Sequence, residues 1–227
     1  MSAEKADASN RTRRLQLHHL TPAGLARIAC HLRAGYRLCR ENSARFLDYV
    51  PASINSMTTV WNYSRLSLPR PQTIIDAGAN NSQMIRLLQI LSPAARILSF
   101  EPNPDCHPIG DCYKMALSDT NGESILYITS DDYGSRVGVR GDDCVREVAI
   151  QTRRFDSLGL DLSTLPKPIL LKLDVEGHEL KALQGFGELL HAVDAILAEV
   201  PNDRDEHKRY DSLDLYAHLG RYGFVSS

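Results

Sequence analysis

Residues 172–179 read Lys-Leu-Asp-Val-Glu-Gly-His-Glu, a dense group of ionisable side chains directly after the apolar run Ile169-Leu170-Leu171. A buried run seldom ends so charged unless the charges act on something. A helix start would favour Glu176 and Glu179 at its positive end, but it leaves Lys172 inside the apolar run unexplained. Carboxylates and an imidazole placed together can take a proton from a reacting hydroxyl. An imidazole ordinarily titrates near neutral pH, so His178 is the candidate base, while Glu176 or Asp174 could orient it or bind a divalent cation instead.

Two further groups carry chemistry. In Asp76-Ala77-Gly78-Ala79-Asn80-Asn81-Ser82 a glycine follows an apolar segment, lets the backbone turn sharply and leads into a helix start, a combination suited to ligand approach. Glu101 lies 25 residues after Asp76, where doubly wound nucleotide folds hold a carboxylate for ribose hydroxyls. A carboxylate can accept both hydroxyl protons of a ribose.

These groups need elements to position them. The pattern predicts strands over 73–76, 96–101, 113–117, 123–128, 145–152, 168–174 and 194–200, with a further strand beginning at Phe224. Helices are expected over 82–91, 156–160, 178–190 and 212–219, and residues 130–144 read as a loop. Strands alternating with helices imply an α/β fold with a doubly wound parallel sheet, whose ligand site lies beyond the carboxyl ends of the strands. Only about ten residues separate Glu101 from the third strand, too few for a crossover helix, so the fold is shortened there. The fold is expected to be shortened at the C-terminus as well, the terminal antiparallel strand being absent, truncated or supplied elsewhere.

Four ordered motifs resemble those of FkbM-type methyltransferases: Asp76-Ala77-Gly78-Ala79-Asn80, Glu101-Pro102-Asn103-Pro104, Ala116-Leu117-Ser118-Asp119, and Leu171 to Glu179. Lys172 and Glu199 also fall where that family has lysine and glutamate. The resemblance spans roughly residues 72 to 200. It implies a Rossmann-like methyltransferase sheet and S-adenosylmethionine as cofactor, with S-adenosylhomocysteine as product. By it, the Asp76–Asn80 motif binds the cofactor, Gly78 and Asn80 lining its methionine part with Ala79 between them. Glu101 holds the ribose, and Met115 and Ala116 border the adenine. Asp174 and Glu176 face the methyl-transfer centre, and Asp174 touches the cofactor as well. Ser82 stands where the family usually has a second glycine, so its side chain would narrow the space beside the cofactor or donate a hydrogen bond to it. The implied reaction is O-methylation of a hydroxyl on a small or sugar-like substrate.

With 227 residues, 43% hydrophobic and 24% charged, the chain suits one substantial core. The expected division is a basic helical extension and connector over residues 1–70, followed by a catalytic domain over 71–227. Residues 1–50 carry nine Lys/Arg against four Asp/Glu, leaving the remainder acidic. Leu25, Ile28 and Leu32 of the extension are expected to cover the sheet face that the missing helix would leave open. No aromatic interleaving accompanies the arginines, so nucleic acid is not expected as a partner. No apolar run approaches a membrane span, and the first residues lack the apolar core of a signal peptide, which gives a cytoplasmic reading. Cys30, Cys39, Cys106, Cys112 and Cys144 form no C-x-x-C pair and predict neither a disulfide framework nor a metal site. An unpaired sheet edge at the C-terminus would favour a homodimer. Two rival functions share the fold: a non-catalytic interaction module with a decayed cofactor site, and a nicotinamide-dependent oxidoreductase. The absence of G-x-G-x-x-G after the first strand speaks against the second.

Overall fold

The computed structural model describes residues 70–130, 134–199 and 210–225. The expected helices of the N-terminal extension, and their cover of the sheet, lie outside the described residues.

Strand β1 (Thr73–Ala77) is buried along its whole length and leads into helix α1 (Gln83–Leu91). Strand β2 (Arg96–Phe100) follows, then the short strand β3 (Asp111–Tyr113). Next come β4 (Ala116–Leu117), β5 (Gly122–Thr129), β6 (Arg136–Val137) and β7 (Cys144–Arg153). Strand β8 (Ile169–Leu173) precedes helix α2 (Glu179–Gln184), strand β9 (Ala195–Ala198) and helix α3 (Ser212–Gly220).

The central sheet has the order β3-β2-β1-β8-β9, with every pair parallel. The chain winds outward from β1 in one direction and resumes at β8 in the other. The crevice between the ends of β1 and β8 is therefore the switch point, where doubly wound sheets bind ligands.

Alternation along each strand sorts the core into two faces. Ile74 and Leu170 pack with Ile85, Leu87 and Leu88 of α1 on one side. Ile75, Leu171 and Leu173 pack with Phe100, Phe155 and Phe186 on the other, where Phe155 and Phe186 stack with centroids 4.1 Å apart.

Several elements differ from expectation. The single third strand over 113–117 divides in two, because Met115 N–H donates to Tyr113 O at 2.9 Å and turns the chain out of the main sheet. β4 instead joins a second sheet of order β4-β7-β5-β6, in which β5 and β7 pair antiparallel. The loop expected over 130–144 contains the two-residue strand β6. The helix expected over 156–160 is a single 3-10 turn, Phe155–Ser157, and a second such turn, Leu162–Thr164, is capped by Asp161.

The helix expected over 178–190 breaks into α2 and a 3-10 segment, Gly187–Ala192. A Cβ at Gly185 would lie 2.0 Å from Ser118 O, and Gly187 has φ +51, so close packing and a left-handed turn end the helix there. No strand begins at Phe224 among the described residues. Its N–H instead donates to Leu219 O at 3.3 Å, closing the end of α3 around Gly223 at φ +84.

Residues 101–110 join β2 to β3 without a helix, as the spacing implies. The Ser99 hydroxyl donates to Ile109 O at 2.7 Å, and Ile109 N–H donates to Ser82 Oγ at 2.9 Å. Side-chain anchors thus replace the missing helix.

Candidate active site

β1 and β8 run in register with Asp76 opposite Lys172, both on the α1 side of the sheet. Because side chains alternate, the face that buries Ile74 and Leu170 must also bury this pair. Lys172 Nζ lies 3.1 Å from Asp76 Oδ1 and 3.4 Å from Asp174 Oδ2, and donates to Gly78 O at 2.7 Å. Burial opposes the charge on Lys172, yet the carboxylates of Asp76 and Asp174 hold its pKa above the ordinary value. Burial also raises the Asp76 carboxyl, against the pull of Lys172. This triad, with Asp76 and Lys172 buried and Asp174 partly exposed, ties the end of β1 to the end of β8.

The glycine turn serves the same closure. Gly78 has φ +74, and a Cβ there would sit 1.8 Å from Asp174 O, so only glycine allows the two strand ends to meet. Gly78 thus admits a neighbouring backbone as well as bordering the crevice.

Beyond the strand ends lies a cavity of about 560 Å³, within the range that holds a drug-sized ligand. It is bordered by Gly78, Ala79, Asn80, Glu101 and Ala116 and by Asp174, Glu176 and His178. Three expected residues are not in its wall. Asp76 lies behind Lys172, and Met115 packs against the core. Ser82, 1% exposed, directs its hydroxyl to the 101–110 loop and therefore does not narrow the cavity.

Glu101 is 7% exposed. Its Oε2 accepts from Asn80 N–H and its Oε1 from Asn103 N–H, each at 2.7 Å. Burial nevertheless raises its pKa, and the two amides work against that rise. Both oxygens are thereby oriented, and each keeps a second lone pair for a ligand hydroxyl.

Another part of the wall is acidic. Glu176 sits at φ +51, a left-handed conformation that costs a non-glycine residue about 1–3 kcal/mol and marks functional sites. Glu179 holds it there: Oε1 accepts from Val175 N–H at 3.2 Å and Gly177 N–H at 3.1 Å, and Oε2 from the Tyr210 hydroxyl at 2.8 Å. Glu179 was absent from the sequence-derived site; the cue available is its position three residues after Glu176 at a helix start, where a glutamate can reach back to free amides. Burial, followed by Asp174 and Glu199, pushes the Glu176 carboxyl up to about 7. Glu199, just past β9, is raised to about 7 by burial and by Asp174.

Asp174, Glu176 and Glu199 each bring an oxygen to within 4.8 Å of the others. Three oxygens supply half the shell of six that a hard divalent cation takes at minimum. The same cluster offers a negative field to a cationic organic ligand. His178 is buried at the start of α2, with Nε2 3.0 Å from the Ser118 hydroxyl, which itself donates to Asp119 Oδ1 at 3.0 Å. A hydroxyl has one proton, so Ser118 in this arrangement accepts from His178 Nε2–H.

A pH dependence follows. Unfolded, the Glu176 and Glu199 carboxyls ionise near the ordinary 4.5, whereas folded they keep their protons to about 7. The folded state binds more protons in that window, so stability falls as pH rises through it and stays lower above it. Glu199→Gln is therefore expected to melt higher than the unsubstituted protein at pH 8, by much less at pH 5, and at the same temperature below the unfolded value of 4.5. Melting curves without ligand check this, and equal values at pH 8 would refute it.

The family described as Methyltransferase FkbM domain matches residues 76–226. The hexuronic acid methyltransferase AglP of Haloferax volcanii is 31% identical over 122 residues, covering 49% of each chain. The chain thus spans about half the length of the curated relative it matches. A crystal structure of methyltransferase FkbM from Methylobacillus flagellatus KT superposes with a TM-score of 0.47 at 17% identity, covering 87% of this chain and 54% of that one. The plantazolicin methyltransferase BpumL in complex with SAH aligns with a TM-score of 0.31 at 10% identity, over 88% and 68% of the respective chains.

Proposed function

The chain belongs to the FkbM methyltransferase family, and on that premise we propose that it moves a methyl group from S-adenosylmethionine to a hydroxyl of a sugar-like small molecule. The observation that carries this reading is the Glu101 carboxylate, oriented by two backbone amides in the wall of a switch-point cavity that Asp174, Glu176 and Glu199 also line. A nucleoside carrying a sulfonium and an amino-acid tail asks for both features. The relative named a hexuronic acid methyltransferase makes hexuronic acids the first acceptors to test. Residues 71–227 form the catalytic unit in this reading.

S-adenosylmethionine, when bound, supplies a methyl group on a positively charged sulfur. Glu101 receives the ribose hydroxyls, while Gly78, Ala79 and Asn80 flank the amino-acid tail. Asp174 and Glu199 hold the cationic region. As the acceptor oxygen gains the methyl group it loses its proton, and Glu176 takes it. A base with a pKa of about 7 suits that role near neutral pH. His178, fixed by Ser118, limits the approach of the acceptor hydroxyl and so serves positioning.

Ser82 and the loop without a helix, the two departures from the usual pattern, have structural roles here. The Ser82 hydroxyl anchors Ile109, and the loop without a helix is pinned by Ser99 and Ser82.

Calorimetric titration with S-adenosylhomocysteine tests the reading, with Glu101→Ala alongside. Hydrogen bonds to a charged group are worth about 1.5–3 kcal/mol each, so losing two is expected to weaken binding at least about 100-fold. Equal affinity in the variant would remove Glu101 from the site. Transfer of a labelled methyl group to glucuronic acid then tests the acceptor class.

A further inference from the structure

A second cavity, of about 480 Å³, adjoins the first, and His178 and Val137 stand in the walls of both. Its floor comes from α2. His178, Lys181 and Gln184 recur every three residues, so they form a ridge on one helix face, and all three border this cavity. Ser118, bonded to His178, and Asp119 stand beside it just beyond β4, and Glu123 and Ser124 of β5 complete the lining.

The chemistry of these walls is that of a polyol site. Carboxylates accept from ring hydroxyls, the Gln184 amide both gives and accepts, and the Lys181 ammonium answers an acid group. Lys181 is the single lysine or arginine among the described residues bordering this cavity. Room is the second argument. Methyl transfer needs two molecules in line, and the first cavity has the size for one drug-sized ligand. The bulk of the acceptor therefore needs space of its own within reach of the acidic wall, and His178 stands where the two spaces meet.

We propose that the second cavity seats the methyl acceptor, a hydroxyl-rich acid about one sugar ring in size. Its carboxylate meets Lys181, its hydroxyls meet Asp119 and Glu123, and its reacting hydroxyl passes His178 into the first cavity. The assignment rests on reading the first cavity as the S-adenosylmethionine site.

The test is titration of glucuronic acid into protein saturated with S-adenosylhomocysteine, using the full chain and the variants Lys181→Glu and Ser124→Trp. The first reverses the charge on an exposed helix position, and the second fills the cavity from β5. Saturable binding is expected in the unsubstituted protein. Lys181→Glu is expected to weaken it at least tenfold and Ser124→Trp to abolish it, with S-adenosylhomocysteine affinity within twofold of the original in both. Lys181→Glu binding glucuronic acid as tightly as the unsubstituted protein would overturn the proposal. So would the absence of saturable glucuronic acid binding in the unsubstituted protein. Failure of S-adenosylhomocysteine itself to bind would sink the reading of the first cavity, a separate result. The same glucuronic acid titration without it, compared across the variants, would still decide the second.

Discussion

Lys172→Met is expected to lower the stability of the fold by about 3–5 kcal/mol, because it leaves the Asp76 carboxylate buried without its cation. The register of β1 against β8 places the two side chains opposite each other in the sheet interior, with Asp76 fully buried and Lys172 4% exposed. Truncating one partner of such a pair costs far more than the pair itself contributes. Replacing both partners by apolar residues is accordingly expected to recover much of the loss, and Lys172→Met with Asp76→Leu is the double variant to compare. Urea unfolding of the two measures the difference. A single variant as stable as the original would mean that Asp76 is neutral in the fold and the ion pair is not what joins the strands. The double variant is also expected to stay impaired in S-adenosylhomocysteine binding, since Lys172 Nζ fixes the Gly78 carbonyl and the Asp174 carboxylate at the cavity edge.

Glu176→Gln is expected to reduce kcat for methyl transfer to an alcohol by about 10²–10⁴-fold, the range over which a positioned general base contributes. Glutamine keeps the size and much of the hydrogen bonding of glutamate but cannot take a proton. The unsubstituted enzyme is expected to gain rate as pH rises through about 7 and then level off, following the Glu176 carboxyl. The variant is expected to lose that rise. S-adenosylhomocysteine affinity is expected to change less than tenfold, which separates proton transfer from binding. If Glu176→Gln retains the rising limb and most of the rate, the proton goes elsewhere, and His178→Gln becomes the next comparison.

The two effects differ in origin although the residues are neighbours in sequence. Lys172 points into the sheet and acts through the fold, whereas Glu176 lies beyond the strand in a left-handed turn and borders the cavity. That turn owes its conformation to Glu179, whose two oxygens gather Val175, Gly177 and Tyr210. Tyr210 lies two residues before α3, so this hydrogen bond couples the acidic wall to that helix. Burial and the Glu179 carboxylate raise the Tyr210 hydroxyl, which therefore remains a donor at every pH of interest.

The parallel core and the chemical character of its strand ends are legible in the order of the residues alone. Apolar segments of four to six residues with a glycine or a carboxylate behind them have few other uses, and β1, β2, β8 and β9 all lie where the pattern puts them. The residues that border the cavity were equally plain as candidates, since Gly78, Asn80, Glu101, Asp174 and Glu176 follow strands whose ends share one edge. Which of them meet depends on packing between distant parts of the chain. Ser82 and Asp76 stand in the same motif as Gly78, yet one turns to the 101–110 loop and the other to Lys172, because a hydrogen bond and an ion pair across the sheet are non-local choices. The split of residues 113–117 between two sheets and the break of the α2 region at Gly185 have the same cause. Each depends on a contact, Met115 with Tyr113 or Gly185 with Ser118, whose geometry exists only once the surrounding chain is in place.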